Sequence, residues 1–504
     1  RFFILRRHKD RIVGGLGVAG GSRRRDLNGA AETGMVPGTR PGNGTGGRRG
    51  GAAGSGRGYV IGRLLAVLTV VAVGLAGMVP AQAQNLIRDA EIEADLRRIA
   101  DPIFAAAGLE PASVRVFVIN DPSLNAFVAG GQNMFIHTGL ITASQSPEQL
   151  AGVIAHETGH ISGGHLSRLR DAVGQANTEA IIGALLGAAA IVAGAPQVGT
   201  AVMAGGATYA ERNLLRFSRS QEQAADQAAI RYLAAEQLPP TGLYEFFKIL
   251  ETQNLRISAE GPEYLRSHPL TRDRITFMAG EVERSPYQDR SYPAEVHAAH
   301  ARMIAKLEGF LGDPTEVLQR RDGESFADRY ARAVAHFRRG DTDRALDVVK
   351  GLQAELPGDP HLRELEGQIL FESGRIADAV PAYRDALAGV PDAALVRFGL
   401  ARALLELNEP EATQEAATHL REVVRLEPQS AYAWRFLGIA EGRLGDAGRA
   451  SLALAEHAVL LGQAEDVALY LRRAREHVEP GGPEWLQLQD LEQAAERLER
   501  VGSG

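Results

Sequence analysis

The sequence predicts an α+β chain that is mainly helical: a first domain with a small β-sheet, followed by an all-α repeat superhelix. Three observations predict it. Short runs between residues 113 and 138 alternate apolar and polar at period two, as half-buried strands do. Longer runs around His156 and Glu222 carry helical spacing. From about residue 326, glycine, alanine and proline recur at a 34-residue interval.

Residues 1–57 are rich in Gly and Arg with almost no apolar periodicity, so they are expected to be disordered or a spurious N-terminal extension. Arg57 and Arg63 then flank the start of an apolar run, Leu64–Met78, and Ala81-Gln82-Ala83 follows it. A positive flank, a short apolar core and a small-x-small site in that order predict a signal peptide over 58–83, cleaved after Ala83. An uncleaved anchor is the alternative, although the run is short for a bilayer. The chain has no cysteine, which excludes disulfides, a lipid-modified N-terminal cysteine and cysteine metal ligands. Its formal charge is −7, but residues 1–83 hold thirteen Lys/Arg against three Asp/Glu, leaving the remainder near −17. So acidic a body argues against nucleic acid or an anionic lipid surface as the main partner.

Residues 85–110 read as a helix with Leu96, Ile99 and Ile103 inward and Glu91, Ala94 and Arg97 outward. Ser113–Asn120 reads as a strand, and Asn125–Val128 and Asn133–Thr138 as two more joined by a Gly130-Gly131 turn. Ser146-Pro147 supplies a cap and first-turn proline for the helix that follows. That helix carries His156-Glu157-Thr158-Gly159-His160. Histidines four residues apart lie roughly 40° apart around a helix, so both imidazoles can reach one metal. Glu157 then sits beside the metal's open position, where it can take a proton from water.

A catalytic zinc needs a third protein ligand. His165 lies nine residues after His156, on the opposite side of a continuous helix, and is a non-ligand unless Gly163-Gly164 breaks that helix. Glu222 in Glu222-Gln223-Ala224-Ala225-Asp226 is the better candidate. Positions 222 and 226 share a helix face, the small alanines permit close approach, and Asp226 can hydrogen-bond the distal nitrogen of His156 or His160. Taken alone, these two acids would read as a solvated helix. Between the two motifs, Ile181–Tyr209 is apolar, glycine-rich and split by Pro196. Each half is short for a bilayer, so a helical hairpin is expected, packed on the zinc helices or else touching a membrane or partner.

With His156-Glu-x-x-His160, Glu222-x-x-Ala-Asp226 and Ser267-His268-Pro269-Leu270-Thr271-Arg272-Asp273-Arg274-Ile275, the chain resembles the gluzincin metallopeptidases related to the CAAX prenyl endopeptidases. Leu124–Gly131 and Ile136–Ile141 match the same pattern, and the resemblance covers roughly residues 88 to 300. It implies a zincin-like metallopeptidase domain over 84–300 with one Zn²⁺ per chain, held by His156, His160 and Glu222. Glu157 would be the catalytic base and Asp226 the group that orients a zinc histidine. A histidine before proline is usually a turn residue. The resemblance instead places His268 near the zinc, either blocking the open position at rest or hydrogen-bonding the oxyanion. Arg274 would pair with a carboxylate nearby. The strand Asn133, Met134, Phe135, Ile136 is expected to pair with substrate backbone, a plain structural hairpin being the alternative.

After a linker over 301–325, residues 326–498 read as a helical repeat. Gly340 and Gly374, Ala345 and Ala379, and Pro357 and Pro391 are each 34 residues apart. A step of 37 then links Pro391 to Pro428 and Asn408 to Gly445, with Glu409–Gln414 as a small insertion. Small residues at helix crossings with a closing proline at this period mark a tetratricopeptide array. Its helix pairs stack into a superhelix with a concave surface. Tyr383, Phe398, Tyr432 and Trp434 are read as packing residues more readily than as surface ligands.

The expected activity is therefore an exported, zinc-dependent endopeptidase acting on protein substrates. With a helical-repeat tail behind such a domain, the resemblance implies a periplasmic enzyme of envelope quality control. Its clients would be outer-membrane β-barrel proteins, with their assembly machinery docking through the repeats. The competing expectation is a periplasmic chaperone or scaffold whose peptidase is mostly latent.

Overall fold

Alternation in Arg115-Val116-Phe117-Val118-Ile119 and Asn133-Met134-Phe135-Ile136-His137 places Val118, Met134 and Ile136 in the core and sets these two strands side by side. The computed structural model describes residues 3–4, 86–192, 196–256, 264–265 and 268–502. The predicted signal segment, nearly all of residues 1–57 and Ser267 lie outside the described residues. The sheet consists of β1 (Phe3–Ile4), β2 (Leu86–Arg88), β3 (Arg115–Ile119), β4 (Ala126–Ala129) and β5 (Asn133–His137). Its order is β1-β2-β3-β5-β4, with β3 and β5 parallel and the other pairs antiparallel. The element β1 falls within the stretch that the sequence marked as unfolded.

Helix α1 (Ala90–Ala106) starts where the Asp89 side chain accepts the Ile92 N–H, and it buries Ile92, Leu96, Ile99 and Ile103. Glu91 departs from the sequence reading: it is buried rather than outward, because basic side chains from a later helix converge on it. After α2 (Thr138–Ala143) comes α3 (Pro147–Ser162), the helix that carries His156 and His160, capped by Ser146 accepting the Gln149 N–H. Every residue of α3 from Gln149 to His160 is buried, with α1, β4 and the later helices Pro196–Ala235 and Thr241–Arg256 packed around it. The next two helices, α4 (His165–Val192) and α5 (Pro196–Ala235), run along each other, Gly183 meeting Gly206. The stretch 181–209 of this pair forms an arm, and its large described apolar side chains do not pack into the core as first expected. Ile182, Leu186 and Tyr209 are 51, 60 and 60% exposed. No described helix is long and apolar enough to cross a membrane.

Three further helices surround the foot of the arm or lead away from it: α6 (Thr241–Arg256), α7 (Arg272–Arg284) and α8 (Ala294–Leu311). The expected linker over 301–325 is instead occupied by the second half of α8 and by α9 (Pro314–Arg320). Met303, Ala305, Leu307 and Phe310 of α8 are buried, because this helix packs on α1 and α2 on one side and on the first repeat helix on the other. It joins the two parts as one continuous core rather than tethering them.

The repeats pair α10 (Phe326–Arg338) with α11 (Thr342–Glu355), α12 (Pro360–Glu372) with α13 (Ile376–Gly389), and α14 (Ala394–Leu407) with α15 (Pro410–Leu426). Then α16 (Ala431–Arg443) pairs with α17 (Ala447–Leu460), and α18 (Ala464–Arg475) and α19 (Pro483–Gly502) close the array. The residues that recur at the repeat interval turn the chain between helices in the left-handed region: Gly340, Gly374 and Gly445 at φ +85°, +79° and +87°, and Asn408 at +56°. The insertion near residue 410 is absorbed as helix, α15 having 17 residues where α13 has 14. Tyr383 and Phe398 are buried, as packing residues should be. The array's first helices turn toward the peptidase part. Glu364, Gln368 and Phe371 of α12 and Leu395, Gly399 and Arg402 of α14 enclose Arg88, Asp89 and Ala90.

Candidate metal centre

The two helices that carry the site can touch because small residues face each other. A Cβ on Gly159 would lie 2.9 Å from the Ala225 carbonyl oxygen, and Ala225 is itself buried. Contact there sets Glu222 and Asp226, one turn apart on α5, against His156 and His160 on α3. The side chains meet at close range. His156 Nε2 and His160 Nε2 are 3.1 Å apart, and each lies 3.4 Å from an oxygen of Glu222. A tetrahedral zinc with bonds of about 2.0–2.1 Å spaces its ligand atoms roughly 3.3 Å apart, so these separations suit one ion. His268 completes the group: one ligand atom from each of His156, His160, Glu222 and His268 lies within 4.8 Å of all the others, and all four residues are buried.

The outer contacts fix which nitrogens face inward. His156 Nδ1 lies 3.0 Å from Asp226 Oδ1, so Asp226 stands behind His156 rather than His160. His160 Nδ1 instead meets His165 Nδ1 at 3.0 Å. The helix does break after Ser162, at Gly163 and at Gly164 with φ +63°, and α4 begins at His165. The break brings His165 against the back of His160, and it stays outside the ligand group. Arg274 grips both acids, with Nε 2.7 Å and Nη2 2.8 Å from the two Asp226 oxygens and Nη1 2.9 Å from Glu222. Its guanidinium also lies 5.0 Å from the centre of the Phe247 ring.

Electrostatics favour a cation here. Glu222 and Asp226 are two buried acids that share the one guanidinium of Arg274, so an added cation would offset the remaining carboxylate charge. Burial opposes the ionisation of Glu222, but hydrogen bonds from His156, His160 and His268 override it and hold the carboxyl far below its usual range. Burial with little compensation raises the Glu157 carboxyl. Burial also draws His160 down to about 3, keeping it neutral as a ligand must be. In His156, bonds to Asp226 and Glu222 outweigh burial and raise it to about 9. A metal entering this set must therefore displace a proton.

The predicted substrate strand is not available. Asn133, Met134, Phe135 and Ile136 sit in β5, which pairs with β3 on one side and β4 on the other. The two edge strands among the described residues are β1 and β4, and of these it is β4, Ala126–Ala129, that packs against α3. Two other contributors were not legible in the sequence. Tyr264 stacks on His268 with ring centroids 4.5 Å apart, yet no motif spacing marks it. His165 was judged on a continuous helix, and the Gly163-Gly164 pair was the signal against that.

A helix with two histidines and a glutamate base, a glutamate ligand from a second helix and a buried aspartate behind the first histidine define a metallopeptidase. Residues 86–282 match the model of Peptidase family M48, and residues 365–412 match that of a tetratricopeptide repeat. The chain thus carries a family M48 peptidase domain joined to tetratricopeptide repeats. It is 25% identical over 370 residues to the beta-barrel assembly-enhancing protease of Escherichia coli (strain K12), covering 72% of this chain and 75% of that protein. The protein of the same name in Yersinia pestis is 24% identical over 404 residues, covering 79% and 82%. A shorter match, 36% over 63 residues, joins it to the mitochondrial metalloendopeptidase OMA1 of Schizosaccharomyces pombe, covering 12% of this chain and 19% of that one.

Proposed function

We propose that this chain is a zinc-dependent endopeptidase of envelope protein quality control, exported with cleavage after Ala83 and acting in the periplasm on misassembled outer-membrane β-barrel proteins. The observation that carries the peptidase reading is the buried group His156, His160 and Glu222 beside Glu157, under the open edge of β4. Two imidazoles and a carboxylate at these separations suit zinc, which when bound supplies Lewis acidity and an activated water. Glu157 takes the proton of the attacking water and returns it to the leaving amine, and its raised affinity for protons strengthens it as the base of the first step. The β4 edge holds the substrate backbone in extended form, which gives affinity with little dependence on sequence. The names of the relatives support the choice of client, and the repeats support docking of a larger assembly. Part of their inner face is used by α1, while a cleft of about 490 Å³ beside Trp434, Leu437, Arg421 and Arg449 stays open for a partner. The exposed arm formed by α4 and α5 supports contact with a membrane or partner.

A second reading, a periplasmic chaperone or scaffold with a latent peptidase, is favoured by one observation: His268 stands among the ligand atoms, where a water would otherwise bind. Glu157→Gln separates the two, because it removes the base and leaves the ligands. If proteolysis is the function, the variant should fail to rescue the envelope defect of a strain lacking the protein, and should retain uncleaved clients on crosslinking. Full rescue would overturn the protease reading in favour of the scaffold.

A further inference from the structure

We infer that a cleft between the foot of the α4–α5 arm and the β4 edge is a side-chain subsite that selects a large apolar residue next to the bond to be cut. The inference rests on the peptidase reading above. The cleft has a volume of about 160 Å³, and Glu157, His160, Glu222 and His268 form its inner end. Its walls are Phe127 and Val128 of β4, Leu166 and Leu169 of α4, and Phe217 of α5. Among the described residues no Lys or Arg lines it, and beyond the metal group its polar members are His165, Ser218 and Gln221.

Three physical points lead from this lining to a substrate class. An apolar cavity of about 150 Å³ accepts a benzene-sized group, so the space fits one phenylalanine or leucine side chain and little more. The two walls that face each other come from the strand expected to hold substrate backbone and from the helix that begins at the His165 break. A residue whose backbone pairs with Ala126–Ala129 therefore presents its side chain to Leu166, Leu169 and Phe217 at the point nearest the metal group. Finally, an aspartate entering would be desolvated with no basic group to pair with and would meet like charge at Glu157 and Glu222, while a lysine ammonium would be desolvated against the apolar walls, with both carboxylates already engaged in the metal group. Leu169 is 41% exposed although it is a leucine beside two buried catalytic groups, as expected of a wall that a ligand covers. The selected segments are extended stretches that are buried when a client is folded and exposed when it is not.

The test uses the purified full chain with zinc and a set of internally quenched peptides that differ in one residue, Phe, Leu, Ala, Lys or Asp, on either side of a single cleavable bond. In parallel, binding of the same peptides to the Glu157→Gln form is measured by competition. On one side of the bond, Phe and Leu should give kcat/KM at least tenfold above Lys and Asp, and bind correspondingly tighter. Leu169→Lys should shift the ratio of Asp to Phe peptide by tenfold or more toward Asp, and Phe217→Ala should lower the ratio of Phe to Ala peptide. A changed ratio cannot come from partial misfolding. Cleavage with equal rates for all five residues, or an apolar preference untouched by both variants, would overturn the subsite. Absence of cleavage with the apolar binding preference intact would instead sink the peptidase reading and leave the subsite standing. Neither cleavage nor preference would overturn both.

Discussion

At the scale of single residues, the two histidines of the candidate metal group are held in unlike ways. His156 leans on a carboxylate that is itself gripped by Arg274, while His160 leans on the neutral ring of His165. An acceptor behind a metal-bound imidazole fixes its tautomer, and loss of such a partner typically costs 10–100-fold in metal affinity. With its Nδ1–H pointed at His165, His160 presents Nε2 to the ion. His165 is therefore expected to be a positioning residue. His165→Leu should weaken zinc binding about tenfold or more in chelator competition, whereas His165→Asn, which keeps an acceptor near the same place, should recover most of it. Equal zinc affinity in both variants and the parent would reject this role. The site's sequence signature was largely readable: the His156 and Glu222 motifs met as expected, and Asp226 fell behind one of the histidines. What escaped were contacts set by chain reversal. His165 depended on whether two glycines interrupt a helix, and Tyr264 reaches His268 from a segment without any spacing rule.

At the scale of elements, helix periodicity was legible and sidedness was not. The pattern 85–110 gave α1, but Glu91 faces a neighbour that only tertiary packing supplies. Likewise, the strand pattern of Asn133–Ile136 was right while its place in the sheet was not, since alternation fixes faces and not order. Helix α8 was missed altogether, because basic and histidine residues interrupt its apolar face. One of these, His300, is 4% exposed and 2.7 Å from Ser144 Oγ at the end of α2. The Ser144 hydroxyl donates to the Ile141 carbonyl, so His300 Nε2 is the donor to Ser144. Burial, with His297 nearby, draws it down to about 4. Because the folded value lies below the unfolded one near 6.5, the unfolded chain binds more protons between them, and stability is lost as pH falls through that window. Asp95 on α1 works in the opposite direction: burial and Glu91 raise it to about 6, so its contribution is lost as pH rises from about 4 to 6. The whole-protein profile thus conceals both. The difference in unfolding free energy between the parent and His300→Gln, measured in urea, should be constant above pH 7. It should move against the parent by about 3 kcal/mol by pH 4. A difference that stays level across the window would refute the assignment.

At the scale of the whole molecule, the peptidase part and the repeats are locked by a buried ionic cluster rather than by an apolar seam alone. Glu91 of α1 receives Lys306 Nζ at 3.0 Å, the Arg302 guanidinium and the Tyr330 hydroxyl at 2.8 Å. Lys306 also reaches Asp89 at 2.8 Å, and Arg302 holds both oxygens of Asp359 at 2.8 and 2.9 Å. One carboxylate therefore connects α1, the bridging helix α8 and the first repeat helix, with Asp359 extending the cluster to the next pair. Burial works against ionised Glu91, yet Lys306 and Arg302 hold it far below the usual carboxylate range. Pairs of this kind add little net stability over apolar packing, but removing one partner strands the others, at a cost of about 3–5 kcal/mol. Glu91→Ala should incur such a cost, since Lys306 is 2% exposed and cannot move to water in place. The cluster lies at the junction, so the loss should fall on the coupling between the parts. Calorimetry of the full chain should change from one cooperative transition to two, the repeat array melting apart from the metal domain. The double variant Glu91→Leu Lys306→Met removes charge from both sides and should recover much of the stability. A single, unshifted transition in Glu91→Ala would mean that the apolar contacts of α8 suffice to hold the molecule together.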